Sequence, residues 1–152
     1  MDRPACLLPL LFAAIAACGA SPTSPASAGP LQMTASATKT TLSAGESTVV
    51  TFTLRNLTKQ PVRIDLPDSC LVQPHVVDTT TGKELSGFGF VCATVITTVT
   101  LPPEGVRDIA YPLRAGDAAG NLRAGTYHVH ATLNDRVYQT NSEPITITVN
   151  GA

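Results

Sequence analysis

From residue 31 onwards the chain alternates apolar and polar residues with a period of two, the pattern of strands that bury one face. Segments rich in Gly, Pro, Asn and Asp separate the alternating runs and are typical of turns. No run of useful length has the 3.6-residue period of an amphipathic helix in this part of the sequence. Strands are therefore predicted at 31–38, 50–55, 62–66, 72–78, 91–101, 106–113, 127–133 and 145–149.

Roughly seven or eight short strands with turns between them predict an all-β domain at residues 31–150. Two sheets that face each other across one core would bury the apolar side of every strand. The expected fold class is an immunoglobulin-like Greek-key sandwich of about seven to eight antiparallel strands. Residues 115–125 are rich in Gly and Ala, and we expect a loop there with room for a helical turn.

The start of the chain has a different pattern, an apolar run from Ala5 to Ala17. A membrane-spanning helix needs ~20 apolar residues, so a run of about 13 suits the hydrophobic part of a signal peptide. The run ends in small residues followed by a cysteine, Ile15-Ala16-Ala17-Cys18. An ordinary signal peptide with an incidental cysteine stays open as an alternative. An uncleaved anchor is disfavoured by the short length and by Pro9.

The segment Ile15-Ala16-Ala17-Cys18 resembles the lipobox of bacterial lipoprotein precursors. The resemblance implies a signal peptide at 1–17, diacylglycerol on the Cys18 sulfur and acylation of the new amine. Two or more acyl chains hold a protein firmly on a membrane, whereas one chain holds it marginally. The expected location is the cell envelope, outside the cytoplasm. Gly19 resembles the outer-membrane sorting pattern where the host has two membranes.

Residues 18–30 join the lipid site to the predicted sandwich. From Gly19 to Pro30 they are Gly, Ala, Ser, Thr and Pro, with no charge and no large apolar side chain. Such a composition cannot bury a core, which predicts a flexible, partly extended tether. At ~3 Å per residue the tether could hold the domain about 35 Å from the bilayer.

The four cysteines differ in their predicted fates. Cys6 leaves with the signal peptide and Cys18 carries the lipid. Cys70 and Cys92 remain as an even pair in an oxidising compartment, which predicts a disulfide. A bridge that closes a loop of about 20 residues would stabilise the fold by ~3 kcal/mol in the chain-entropy model. A two-cysteine metal site is the alternative, but further ligands at finger spacing are missing.

Short motifs at the ends of several predicted strands are Asn56-Leu57-Thr58, Leu101-Pro102-Pro103-Glu104-Gly105 and Leu122-Arg123-Ala124-Gly125-Thr126-Tyr127. Together with the strand pattern from about residue 31 to 149, they resemble the immunoglobulin-like BsuPI family, named for intracellular proteinase inhibitors. The resemblance implies the sandwich fold and inhibition of a protease. An exported chain would meet that protease in the envelope or outside the cell. In any sandwich, Gly125 permits a positive φ and Tyr127 can bond its hydroxyl at a corner.

His128 and His130 lie two residues apart on a predicted strand, so their side chains share one face. They are candidate metal ligands. A third ligand would come from His75, Asp135 or Glu143. The alternative, which the alternation favours, is two exposed histidines on the outer face of a sheet. A copper carrier would need methionines near them, and beyond the signal peptide the chain has only Met33.

Phe88 and Phe90 flank Gly89 inside the predicted disulfide loop. If exposed, the two rings would form an aromatic contact for a protein partner. The alternative is that they cover one end of the sandwich, because apolar rings usually find cover.

The sequence contains no convincing catalytic constellation. Its serines lie in turns, without a Gly-x-Ser-x-Gly elbow, and nothing pairs His75 with a nucleophile. The formal net charge of −1 and the lack of a polybasic stripe exclude nucleic acid as the expected partner.

We therefore expect no enzyme and no cofactor. The sequence favours a membrane-anchored binding lipoprotein of the envelope, with the membrane and a protease or another envelope protein as partners. Protease inhibition and a structural or weakly metal-binding lipoprotein are the alternatives.

Overall fold

The computed structural model describes residues 29–151. The predicted signal peptide at 1–17, the predicted lipid site at Cys18 and most of the predicted tether at 18–30 lie outside the described residues. In the range 29–151, no helix is long and apolar enough to cross a membrane.

Nine strands make up the regular part of residues 29–151. They are β1 Leu31–Ala37, β2 Thr41–Leu42, β3 Ser47–Asn56, β4 Val62–Leu66, β5 Val72–Asp78, β6 Thr97–Leu101, β7 Val106–Arg114, β8 Gly125–Leu133 and β9 Ile145–Val149. One sheet has the order β1-β3-β7, a second has the order β2-β9-β8-β5, and β4 pairs with β6. All these pairs are antiparallel except the short parallel contact of β2 with β9. The predicted all-β, immunoglobulin-like sandwich is confirmed.

The alternation seen in the sequence builds the core from both sheets. In β3, Val50, Phe52 and Leu54 are fully buried, whereas the threonines between them are half-buried. In the second sheet, Val129 and Ile147 are fully buried on neighbouring strands and belong to the same apolar cluster. Because the hydrophobic effect scales with the apolar area removed from water, this shared core is what holds the two sheets together.

The long strand predicted at 91–101 is wrong in its first half. The strand is β6, Thr97–Leu101, whose five residues pair one to one with β4. Residues 91–96 have no strand partner, and the chain there bonds instead to the β4–β5 turn. Ser69 donates its N–H to the Ala93 carbonyl at 3.0 Å, and Ala93 donates its N–H to the Ser69 hydroxyl at 2.8 Å. The pairing partner therefore sets where the strand begins.

Two smaller features also differ from the sequence-based expectation. The loop at 115–125 contains no helical turn, and Ala115 forms an isolated bridge with Leu122 instead. Strand β2 was not predicted, since two residues are too few to show a period.

Asn56 at the end of β3 is a fully buried polar residue. Its amide nitrogen donates to the carbonyls of Gln60 at 2.7 Å, Pro102 at 2.8 Å and Leu101 at 3.3 Å. Its amide oxygen accepts from the N–H and the hydroxyl of Thr58, at 2.9 and 2.8 Å. One side chain thus joins the turn after β3 to the turn after β6.

Replacing Asn56 by alanine should lower the free energy of unfolding by about 3 kcal/mol, because it leaves several buried carbonyls without a donor. Urea denaturation measures the change. The matched control is Asn141→Ala, an exposed asparagine that should change stability by no more than about 0.5 kcal/mol. A loss below about 1 kcal/mol for Asn56→Ala would contradict the assigned function of this side chain in the turn.

Candidate functional site

Cys70 and Cys92 form a disulfide, as the cysteine count predicted. Their Cα atoms are 5.5 Å apart and the two residues are separated by 22 positions. Cys70 lies in the turn between β4 and β5, and Cys92 lies in the irregular segment before β6. The bond therefore ties that segment to one end of the sandwich.

Asp68 stabilises the turn that contains Cys70 through two hydrogen bonds. Its Oδ1 accepts the N–H of Cys70 and the side-chain amide of Asn134, both at 2.8 Å. Ligand atoms of Asp68, Cys70 and Cys92 lie within 4.8 Å of one another. Both sulfurs are consumed by the disulfide, so neither is a thiolate that could bind a metal.

The structure does not show the exposed aromatic contact proposed for Phe88 and Phe90, and both rings pack against the sandwich, as the alternative held. Phe88 is 9% exposed and belongs to the core, and Phe90 is half-buried against it. Phe90 meets the ring of Tyr111 edge-on, with centroids 5.4 Å apart. The interpretation as a partner contact is therefore corrected, because burial in the core leaves Phe88 little surface to offer.

Tyr111 of β7 fixes this part of the loop to the first sheet. Its hydroxyl donates to the Phe88 carbonyl, and its ring stacks on Phe52 with centroids 6.1 Å apart. Burial raises the pKa of Tyr111 to about 12. The phenol thus stays protonated and keeps donating over the whole physiological range.

Three other apolar side chains of the loop are exposed. Val91 is fully exposed, Val95 is 57% exposed and Ile96 is 85% exposed. The strand prediction at 91–101 missed them because it assumed that alternate residues face the core. The adjacent pair Val95-Ile96 breaks strict alternation, and that was the signal in the sequence. We call residues 91–96 the 91–96 segment.

An open depression of about 300 Å³ lies beside the disulfide. Its lining comes from residues 69–72, from Phe90 and from residues 107–109 of β7. The carboxylate in it, Asp108, accepts a hydrogen bond from the Thr53 hydroxyl at 2.6 Å. The polar groups that line this depression are therefore partly engaged in cross-strand structure.

The chain has three histidines, and all three lie on the outer face of the second sheet. His75 of β5 is directly opposite His130 of β8, and their rings stack with centroids 4.9 Å apart at 18°. His128 is exposed and lies opposite Val77. Of the third ligands offered by the sequence, the structure brings His75 next to His130. Within 29–151, no group of three close ligand atoms contains a histidine.

Two hydrogen bonds fix the His75 ring. Its Nδ1 lies 2.7 Å from Glu84 Oε1, and its Nε2 lies 3.1 Å from Thr132 Oγ1. An ionised carboxylate only accepts, so Nδ1 carries a proton and donates to Glu84. In the neutral ring Nε2 is then the acceptor, and the Thr132 hydroxyl donates to it.

The His130 imidazole has a lowered pKa. Burial is the largest cause, and the neighbouring His75 and His128 add to it while Glu84 opposes it. His130 therefore keeps an unprotonated nitrogen to a lower pH than a free histidine.

Tyr127 occupies the sandwich corner expected for it. It is buried, and its hydroxyl donates to the Arg123 carbonyl at 3.0 Å. Gly125 has a φ of 156°, and a Cβ there would lie 3.2 Å from the Tyr127 hydroxyl oxygen. Both residues thus have structural functions at the start of β8.

Comparison with known proteins gives similarity in structure and none in sequence. No family model and no curated protein matches the chain. An alkylpurine DNA glycosylase of Pseudomonas fluorescens matches with a TM-score of 0.52 and 13% identity, over 80% of this chain and 31% of the glycosylase. This chain thus spans about a third of the length of that enzyme. At such identity the likeness shows the fold alone.

Two further solved structures cover larger shares of their own chains. The CARDB domain of a Pyrococcus furiosus protein matches with a TM-score of 0.49 and 12% identity, over 80% of this chain and 94% of the domain. The Bacillus subtilis sporulation control protein Spo0M matches with a TM-score of 0.49 and 12% identity, over 82% of this chain and 51% of Spo0M. The resemblance to the BsuPI family stays a prediction, since no family model matches.

Replacing Tyr111 by phenylalanine should lower the free energy of unfolding by about 2 kcal/mol, because the buried Phe88 carbonyl loses its donor. Amide hydrogen exchange should also speed up at residues 86–91 and stay unchanged in β3. Tyr138→Phe is the control, since the Tyr138 hydroxyl makes no hydrogen bond within the described chain and its ring is half-buried. Equal effects of the two variants would contradict the conclusion that the Tyr111 hydroxyl attaches the loop at Phe88 to β7.

Proposed function

We propose that this protein is a lipid-anchored, non-enzymatic binding protein of the cell envelope, and that the 91–96 segment is its contact surface. One observation carries the proposal. Val91, Val95 and Ile96 are exposed on a segment that the Cys70–Cys92 bond fixes to a rigid sandwich. Clustered exposed apolar side chains rimmed by polar residues are typical of surfaces that bind a protein partner.

The energetics support an interface at this segment. Full burial of one aliphatic side chain contributes about 1.5–3 kcal/mol, so the three together offer about 4.5–9 kcal/mol before the costs of association. A loop that is already held in place loses less conformational entropy when it binds. The disulfide at Cys92 and the Tyr111 hydrogen bond to the Phe88 carbonyl supply that restraint, the first within the segment and the second just before it.

The anchoring part of the proposal rests on Ile15-Ala16-Ala17-Cys18 and on the spacer that follows. Disulfides persist in oxidising compartments, so the Cys70–Cys92 bond agrees with export. The membrane would be one partner, through the lipid on Cys18, and an envelope protein would be the other. The non-enzymatic part rests on the sequence, which has no nucleophile elbow and no phosphate-binding glycine motif.

A triple variant, Val91→Ser with Val95→Ser and Ile96→Ser, should lose most of the crosslinked partner when the lipidated protein is crosslinked in membranes of its native host. The reason is the loss of the apolar area that the interface buries. All three residues are exposed, so the melting temperature should stay within a few degrees.

The control for this experiment is Val137→Ser, because Val137 is 75% exposed and lies in the β8–β9 connection. It should leave the crosslinking pattern unchanged. An unchanged set of adducts in the triple variant would contradict the proposal that the 91–96 segment is the contact surface.

Protease inhibition is the second candidate, favoured by the same segment. A protruding loop that a disulfide fixes on a rigid scaffold can occupy a protease cleft at low entropic cost. The BsuPI resemblance points to the same activity, with a target in the envelope or outside the cell.

If this candidate holds, the oxidised protein should slow at least one member of a panel of secreted and periplasmic serine proteases. The triple serine variant should lose at least tenfold in inhibition, and Val137→Ser should keep it. No slowing of any protease by the unaltered protein at micromolar concentration would count decisively against inhibition of this class.

A further inference from the structure

We propose that His75 and His130 form a binding site for a first-row divalent transition metal, such as Zn²⁺, Ni²⁺ or Cu²⁺, on the outer face of the second sheet. Glu84 orients one ligand, and solvent completes the coordination. The site is separate from the 91–96 segment and does not depend on the proposed partner binding.

The strand register places His75 directly beside His130, closer than the two histidines that share one strand. His128 and His130 are two residues apart on one strand, which separates their Cα atoms by about 6.8 Å. Residues directly opposite on antiparallel strands have Cα atoms about 4.5–5.5 Å apart, and His75 and His130 are such a pair. The rings of His75 and His130 are already in contact, with centroids 4.9 Å apart, and metal–imidazole bonds of about 2.0–2.1 Å would hold two of their nitrogens about 3.3 Å apart.

Glu84 gives His75 the arrangement that metal-binding histidines have. The Nδ1–H of His75 donates to the Glu84 carboxylate at 2.7 Å, which leaves the Nε2 lone pair on the other side of the ring. A carboxylate in this position fixes the tautomer and raises the basicity of the ligand. Nε2 accepts a hydrogen bond from the Thr132 hydroxyl at 3.1 Å, which a bound ion would replace.

The second ligand, His130, faces His75 from the neighbouring strand. His130 is half-exposed and its ring is stacked on that of His75, so coordination requires the His130 ring to turn until one nitrogen faces His75 Nε2. Seven consecutive register pairs between β5 and β8 hold both backbones in place while the rings move.

The nature of the ligands sets the class of metal. Imidazole nitrogens suit Zn²⁺, Ni²⁺ and Cu²⁺, whereas Ca²⁺ and Mg²⁺ require oxygen ligands. The sulfurs of Cys70 and Cys92 offer no competing site while they are bridged.

The test is calorimetric titration of the full chain, purified in detergent without reductant, with ZnCl₂ and with NiCl₂. We expect saturation at about one ion per chain, with His75 and His130 imidazole signals shifted in the NMR spectrum. His75→Ala and His130→Ala should each weaken binding at least tenfold. Glu84→Gln should weaken it about 10–100-fold, the usual effect of removing an outer-shell carboxylate.

His128→Ala is the matched control, because it removes a histidine from the same face and leaves the proposed pair intact. It should change the affinity by no more than about twofold, and circular dichroism checks that every variant is folded. Three results would each overturn the proposal: no saturable binding, loss of binding in His128→Ala with retention in His75→Ala, or binding only after Cys70–Cys92 is reduced.

Discussion

The disulfide between Cys70 and Cys92 fixes the irregular segment between β5 and β6, which no sheet holds in place. Between β5 and β6, residues 79–96 form no strand. One isolated bridge, between Val77 and Glu84, and a few backbone hydrogen bonds join them to the rest of the domain. A bond that closes such a loop stabilises the fold by ~3 kcal/mol in the chain-entropy model, a large part of the stability of a small domain. Tyr111 adds a second attachment through the Phe88 carbonyl. The exposed apolar residues of 91–96 can therefore stay in place without packing into the core.

The regular half of the fold was predictable because its cause is local. Alternation marks which side of each strand faces the core, and β5 and β9 have the predicted bounds, Val72–Asp78 and Ile145–Val149. The disulfide was predictable from counting cysteines. The start of β6 was not, because a strand begins where its pairing begins, and Thr97 pairs with Leu66, the last residue of β4, about 30 residues away in the sequence. The Thr and Val content of 91–96 suits a strand, but no partner is there to pair with it.

The arrangement of the histidines on the second sheet was predictable only in part, for the same reason. The sequence places His128 and His130 on one face, because that follows from the period of a single strand. The pairing of His75 with His130 depends on the register between β5 and β8, which are separated by residues 79–124 of the sequence. A single bridge to Val77 brings Glu84 next to His75, and no pattern in the sequence predicts that bridge. The burial of Phe88 had a similar origin, since Tyr111 and Phe52 come from other strands.

A photo-reactive residue at position 96 tests whether the disulfide presents the 91–96 segment to a partner. The probe is placed in the lipid-anchored protein in membranes of the native host, with and without the pair Cys70→Ser and Cys92→Ser. We expect one discrete adduct when the bond is intact, a much weaker one without it, and none from the same probe at position 137. An adduct of equal yield without the disulfide, or one from position 137 and none from position 96, would contradict it.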